Sequence, residues 1–112
     1  MAEISWEDFE KVDVRVGRVV RAEPFPEARK PAIKLLVDFG SGLGEKRTSA
    51  QLTTHYDAEG LVGRQVVAVV NFPPKRIAGY KSEVLVLGVP DEAGEVVLLC
   101  PDRAVPEGGK MF

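Results

Sequence analysis

Val12, Val14 and Val16 alternate with polar neighbours, the period of a half-buried strand. After Gly17 the alternation breaks and Val19 and Val20 stand side by side. That pattern predicts a long first strand with a bulge or sharp bend at the glycine. Such a bend lets one strand of a small barrel serve two sheets. Two prolines in residues 23–26 close the strand. Ile33, Leu35, Val37 and Phe39 carry a second period of two. Residues 40–44, with three glycines, read as a hairpin loop into a third strand over residues 46–50. Residues 53–59 suggest one helical turn, followed by Gly60 and Gly63. Two apolar strands follow over residues 64–70 and 84–87, and a last one spans residues 96–100 after a turn at 91–94.

One short helix precedes these strands. Ser5 is a good N-cap and Asp8 sits three residues on, an aspartate version of the capping box, with Ile4 and Phe9 at the staple positions. Trp6, Phe9 and Val12 share one stripe. Two turns are not stable alone, so the stripe must dock on the barrel or on another subunit.

The segment joining the fourth and fifth strands is unusual. Residues 71–88 read NFPPKRIAGYKSEVLVLG, where a two-residue Asn-Gly turn would suffice. Pro73 and Pro74 donate no ladder hydrogen bonds and fix φ near −65°, which predicts an extended segment held off the sheet. Gly79 permits a backbone angle that other residues resist. The segment would display Lys75, Arg76 and Ile77 with little ordering cost on binding.

Composition narrows the function. With 112 residues the chain makes one domain, and 45% hydrophobic with 29% charged content is that of an ordinary globule. No apolar run is long enough to span a bilayer, and the acidic start is unlike a signal peptide, so a cytoplasmic protein without membrane insertion is expected. The net charge of −2 hides a polarity. Residues 1–14 hold one cation and five acids, residues 91–112 two and five, and residues 15–90 twelve and seven. A basic middle between acidic ends predicts a local basic patch rather than a uniformly nucleic-acid-binding surface.

Catalytic and metal signals are weak. Gly40, Gly42 and Gly44 follow a strand, but neither a dinucleotide nor a P-loop spacing is present. His55 is the only histidine, and with Asp57 and Glu59 it reads as a solvated loop rather than a zinc site. Cys100 is alone and reads as a small buried hydrophobe in a strand. Neither an enzyme nor a cofactor is expected.

The stretches VDVRVGRVV, FPEARKPAIKL and NFPPKRIAGYKSEVLVLG, with VVLLCPD near the end, resemble the CsaA family of export-related chaperones, within the tRNA-binding-domain superfamily. The likeness covers nearly the whole chain. It implies an all-β fold over residues 1–112: a five-stranded OB-type barrel with extra C-terminal strands and a short N-terminal helix. It also implies a homodimer, for which Ile4, Trp6, Phe9, Met111 and Phe112 are the candidate interface. The tRNA-binding relatives read Asn-Leu-x-Pro-x-Lys-x-x-Gly, then Ser-x-Gly-Met; here Asn71, Pro74, Arg76, Gly79 and Ser82 match, and Val84-Leu85 replaces Gly-Met. Phe25, Phe72, Ile77 and Leu85 make the expected surface more apolar than theirs. The expected function is therefore that of a chaperone holding unfolded precursor polypeptides for export, with tRNA or single-stranded nucleic acid as the alternative ligand. The candidate contacts are Arg29, Lys30, Asn71, Phe72, Lys75, Arg76, Ile77, Ser82 and Leu85.

Overall fold

The computed structural model describes all 112 residues. In chain order it contains α1 (Trp6–Glu10), β1 (Val14–Pro24), β2 (Ile33–Asp38), α2 (Gly40–Leu43), β3 (Glu45–Ala50), α3 (Ala58–Leu61), β4 (Gln65–Val69), β5 (Lys75–Ile77), β6 (Tyr80–Ser82), β7 (Leu85–Val86), β8 (Gly88–Pro90) and β9 (Val96–Leu98). Five strands form one antiparallel sheet in the order β3-β2-β1-β4-β7. It curls into the expected OB-type barrel, nearly closed between β3 and β7. No helix is long and apolar enough to cross a membrane.

The bent first strand makes the barrel. Val14 to Arg18 pair with β4, and Arg18 to Pro24 pair with β2. The bulge falls at Val20, where the register slips between Val19 and Arg21, rather than at Gly17. Val19 meanwhile donates its N–H to the Arg64 carbonyl at 2.9 Å and accepts from Gly63 N at 2.8 Å, so the bulge is tied to the turn after α3. Gly17 serves a different need. A Cβ there would lie 2.5 Å from Val37 Cγ1 and 2.8 Å from the Phe39 ring. Glycine is the residue that lets this ring close the core.

Val19, Leu35, Val37, Phe39, Leu61 and Val66 fill the interior, each at most 1% exposed. One polar group is buried with them. Thr48, 1% exposed, donates its hydroxyl to the Val84 carbonyl at 2.7 Å. Beside it Glu83 N donates to Arg47 O at 2.7 Å. These two bonds close the seam between β3 and β7, which is otherwise unlinked by a ladder.

The ends differ in part from expectation. Ser5 and Asp8 form the capping box, at 3.0 and 3.2 Å. The turn expected at residues 53–59 is α3, begun by Asp57, whose carboxylate accepts from Gly60 N at 2.6 Å. Residues 40–44 include one helical turn, α2, within the β2–β3 connection. β9 stops at Leu98, so Cys100 lies beyond the strand and is exposed, a correction to its expected burial. Leu99 N still bonds to Leu87 O at 3.1 Å, but Pro101 cannot continue the ladder. The last residues run back along β1, with Gly108 N to Val16 O at 2.7 Å and Met111 N to Val14 O at 2.8 Å.

Charge pairs pin this return. Arg18 Nε donates to Glu107 Oε1 at 2.6 Å, and Arg15, paired with Asp13 Oδ1 at 2.6 Å, donates Nη1 to Gly108 O at 3.0 Å. The hydrogen bond from Arg18 holds the Glu107 carboxyl below its usual range, and that from Arg15 does the same for Asp13. A carboxyl with a lowered folded pKa contributes stability that is complete above its unfolded pKa and is lost as pH falls through the folded value. Stability is therefore expected to be level at neutral pH and to decline below about pH 5. Thermal melts between neutral and acid pH test this, and Glu107→Gln should make the decline shallower.

Candidate ligand-binding groove

Residues 71–88 do not form one extended link. β5 and β6 make a hairpin with Ile77 opposite Tyr80. Its turn is Ala78-Gly79, with φ of 48° and 80°. Two positive φ values are what a tight type I′ turn requires. The two-residue turn was obscured because alanine occupies a position usually held by Asn or Gly. Left-handed backbone costs an L-residue with a Cβ roughly 1–2 kcal/mol. Ala78→Asn is accordingly expected to raise stability by up to about 1 kcal/mol, read by denaturant titration, because Asn visits this region more readily.

Beside this hairpin the seam between β3 and β7 opens. Below Thr48 and Val84 it is bonded shut; beyond them lies a groove of about 1210 Å³. Ser49, Ala50 and Gln51 form one bank and Leu85, Val86 and Leu87 the other. The β5–β6 hairpin and the loop before β2 enclose one end. The β8–β9 hairpin encloses the other with Val89, Pro90, Val96 and Leu98. Leu85 is 50% exposed and Val89 48%. Arg29, Lys30, Lys75 and Arg76 stand on the rim with a single acid, Glu27.

The groove thus gathers Arg29, Lys30, Lys75, Arg76, Ile77 and Leu85 from the candidate contacts. Three others lie apart from it. Asn71 accepts from Asp13 N at 3.0 Å and donates to Lys11 O at 2.7 Å, holding the link between α1 and β1. Ser82 is half-buried, 3.2 Å from the Thr48 hydroxyl. Phe72 is 55% exposed outside the groove. Phe25 is 2% exposed, which removes it from the expected apolar surface. The Val84-Leu85 pair divides: Val84 is 5% exposed in the core, while Leu85 faces the groove. The β8–β9 wall was not foreseen, because its exposed valines carry no motif. Its signal was Gly88-Val89-Pro90 just before the turn at residues 91–94. His55 is engaged by that turn, with Nε2 2.6 Å from Asp91 Oδ2, and no cluster suited to a metal ion is formed.

A second surface lies on the outside of β1, β2 and β3. Arg21, Lys34 and Arg47 surround Tyr80 there, with Glu23 at the edge. Lys34 Nζ sits 4.9 Å from the Tyr80 ring centre, and the Arg47 guanidinium 6.0 Å. Burial raises the Tyr80 hydroxyl pKa, partly offset by Arg47. The phenol stays protonated and donates to Leu35 O at 3.3 Å. Burial works against ionisation of Glu83, but the Arg47 N–H and the cations of Lys46, Lys81 and Arg47 outweigh it and hold its carboxyl low.

The termini carry further exposed apolar surface. Trp6 packs on Phe9 with ring centres 5.5 Å apart. Ile4 and Trp6 are each 70% exposed, Met111 43% and Phe112 fully.

Comparison with known proteins agrees with this architecture. Residues 14–110 match the tRNA binding domain family. The crystal structure of chaperone CsaA from Bacillus anthracis superimposes with a TM-score of 0.93 and 58% identity, over 99% of this chain and 100% of that one. The CsaA chaperone protein from Picrophilus torridus gives 0.90 and 47%, over 98% and 100%. Methionine–tRNA ligase of Methanocaldococcus jannaschii is 38% identical over 112 residues, 99% of this chain. The chain spans only 17% of that ligase.

Proposed function

Since the chain belongs to the CsaA branch of the tRNA-binding domain family, we propose that it is a cytoplasmic chaperone that holds unfolded precursor polypeptides for export. The groove between β3 and β7 carries this reading. Its walls are apolar and its rim is cationic, so it suits a chain whose core side chains are still exposed. The candidate contacts are the nine named from the sequence, led by Arg29, Lys30, Lys75, Arg76, Ile77 and Leu85. Binding rather than catalysis is the activity.

A second reading, tRNA or single-stranded nucleic acid, rests on the outer face around Tyr80. Three cations about an aromatic ring match the way backbone phosphates and stacked bases are held. The two readings separate by salt. Nucleic-acid binding weakens steeply as counterion release loses its advantage, whereas burial of apolar side chains does not. Titrating the protein with tRNA and with an unfolded precursor peptide, each at low and high salt, tests both. Salt-resistant peptide binding supports the chaperone. Tight, salt-sensitive tRNA binding with no peptide binding reverses the order.

The chaperone is proposed to act as a homodimer joined through its termini. Ile4, Trp6, Phe9, Met111 and Phe112 offer apolar surface that one copy leaves largely uncovered. Removing residues 1–11 is expected to give monomers or aggregates by light scattering. Identical monodisperse monomers for both forms would argue against that interface.

A further inference from the structure

The banks of the groove present backbone as well as side chains. In the β2–β3 ladder, Phe39 N bonds to Gly44 O at 3.0 Å. Antiparallel pairs alternate, so Val37–Lys46, Leu35–Thr48 and Ile33–Ala50 are the hydrogen-bonded pairs. Arg47 and Ser49 therefore turn their N–H and C=O away from β2. Arg47 spends both on Glu83, at 2.7 Å from Glu83 N and 3.0 Å to its carboxylate. Ser49, two residues on, has no such partner. Its side of β3 is an open strand edge facing the groove.

The opposite bank is built alike. Leu87 N bonds to Val67 O at 2.8 Å. Leu85 then bonds to Val69, and Val84 and Val86 point away from β4. Val84 O is taken by the Thr48 hydroxyl. Val86, like Ser49, keeps its N–H and C=O toward the groove. The barrel seam is thus closed at Thr48–Val84 and left with two unpaired strand edges immediately beyond.

From these two edges we infer that the groove takes its polypeptide as an added β-strand, recognised through its main chain, and prefers apolar segments flanked by acidic residues. The inference rests on the chaperone reading and names the substrate class of that site. Exposed edges are templates for an incoming strand, and strand addition takes affinity from the backbone and specificity from alternate side chains. Here one side of the added strand would face Leu85, Val89 and Ile77. Its flanks would meet Arg29, Lys30, Lys75 and Arg76, against a single acid at Glu27. A segment rich in lysine would be repelled by that rim. Main-chain recognition also explains how one small site accepts unrelated sequences: every unfolded chain carries the same amides.

The experiment leaves the protein untouched and alters the ligand. The probe is an eight-residue peptide of alternating valine and threonine with two glutamates at each end. Two further versions carry N-methyl groups on one or the other set of alternate amides, and a fourth has lysines in place of the glutamates. Binding is measured by calorimetry, and the amide resonances of Ser49 and Val86 are followed by NMR. The expected result is a loss of about tenfold or more for each N-methyl set, since in a strand lying between the two edges one set faces Ser49 and the other faces Val86. The lysine version should bind about tenfold more weakly at low salt, and the amides of Ser49 and Val86 should shift and gain exchange protection. Undiminished affinity of either N-methyl version, or unmoved amides at Ser49 and Val86, overturns strand addition between the two edges while leaving the chaperone reading standing. Failure of all four peptides to bind, with a single-stranded oligonucleotide moving those amides instead, overturns both.

Discussion

Replacing Gly17 by alanine is expected to lower the thermal midpoint by about 10 °C, because a methyl group has nowhere to go. Its Cβ would stand 2.5 Å from Val37 Cγ1 and 2.8 Å from two carbons of the Phe39 ring. Both neighbours are at most 1% exposed and belong to the central cluster. Overpacking a well-filled core costs typically about 1–3 kcal/mol, and 1 kcal/mol moves the midpoint of a domain near this size by roughly 4 °C. The clash is with side chains, so it can be relieved from the other side. Phe39→Leu alone opens a hole and destabilises; added to Gly17→Ala it should cost less than it does alone. A double-mutant cycle by denaturant unfolding is expected to show favourable coupling of about 1 kcal/mol or more. Simple additivity would mean that Gly17 is required for its backbone and not for the ring it admits.

Changing Lys75 and Arg76 together to alanine is expected to weaken peptide binding about tenfold at low salt while leaving stability within about 0.5 kcal/mol. Both side chains are exposed on β5. Arg76 makes one bond within its own hairpin, to Gly79 O at 3.2 Å, and Lys75 makes no ion pair. Little of the fold depends on them. They supply two of the four rim cations of the groove, so the loss should be greatest for acid-flanked peptides and should fade as salt rises. The tRNA reading predicts a different signature. Losing two phosphate contacts would reduce the slope of log affinity against log salt by about 2 and weaken all sequences alike. A large fall in melting temperature with unchanged binding per folded molecule would make the pair structural.

The barrel was legible in the sequence because its information is local. The period of two at Ile33, Leu35, Val37 and Phe39 predicts a strand, and all four point inward. Gly17 followed by Val19-Val20 signalled a strand that cannot remain straight, and it changes partners at Arg18. The capping box at Ser5 needed no tertiary context either. Among the candidate contacts, the cations and Ile77 of residues 75–77 stood out because prolines and charges interrupt an apolar run.

Other features were settled by packing at a distance. The bulge sits at Val20 and not at Gly17, since it is tied by Val19 to Gly63 and Arg64, about 45 residues away in the chain. Val84 and Leu85 are adjacent apolar residues with no local cue to tell them apart. The Thr48 hydroxyl on the Val84 carbonyl turns one into the core and leaves the other in the groove. Asn71 matches a family motif, yet its amide is occupied by Asp13 and Lys11, partners 58 and 60 residues away. Which segments become strands and where the chain must bend are written locally, because side-chain period and glycine sterics act over a few residues. Where the barrel seam stays open was set by contacts between distant segments. That depends on which backbone groups of β3 and β7 find partners, and a hydrogen bond between residues 36 apart leaves no mark on either neighbourhood.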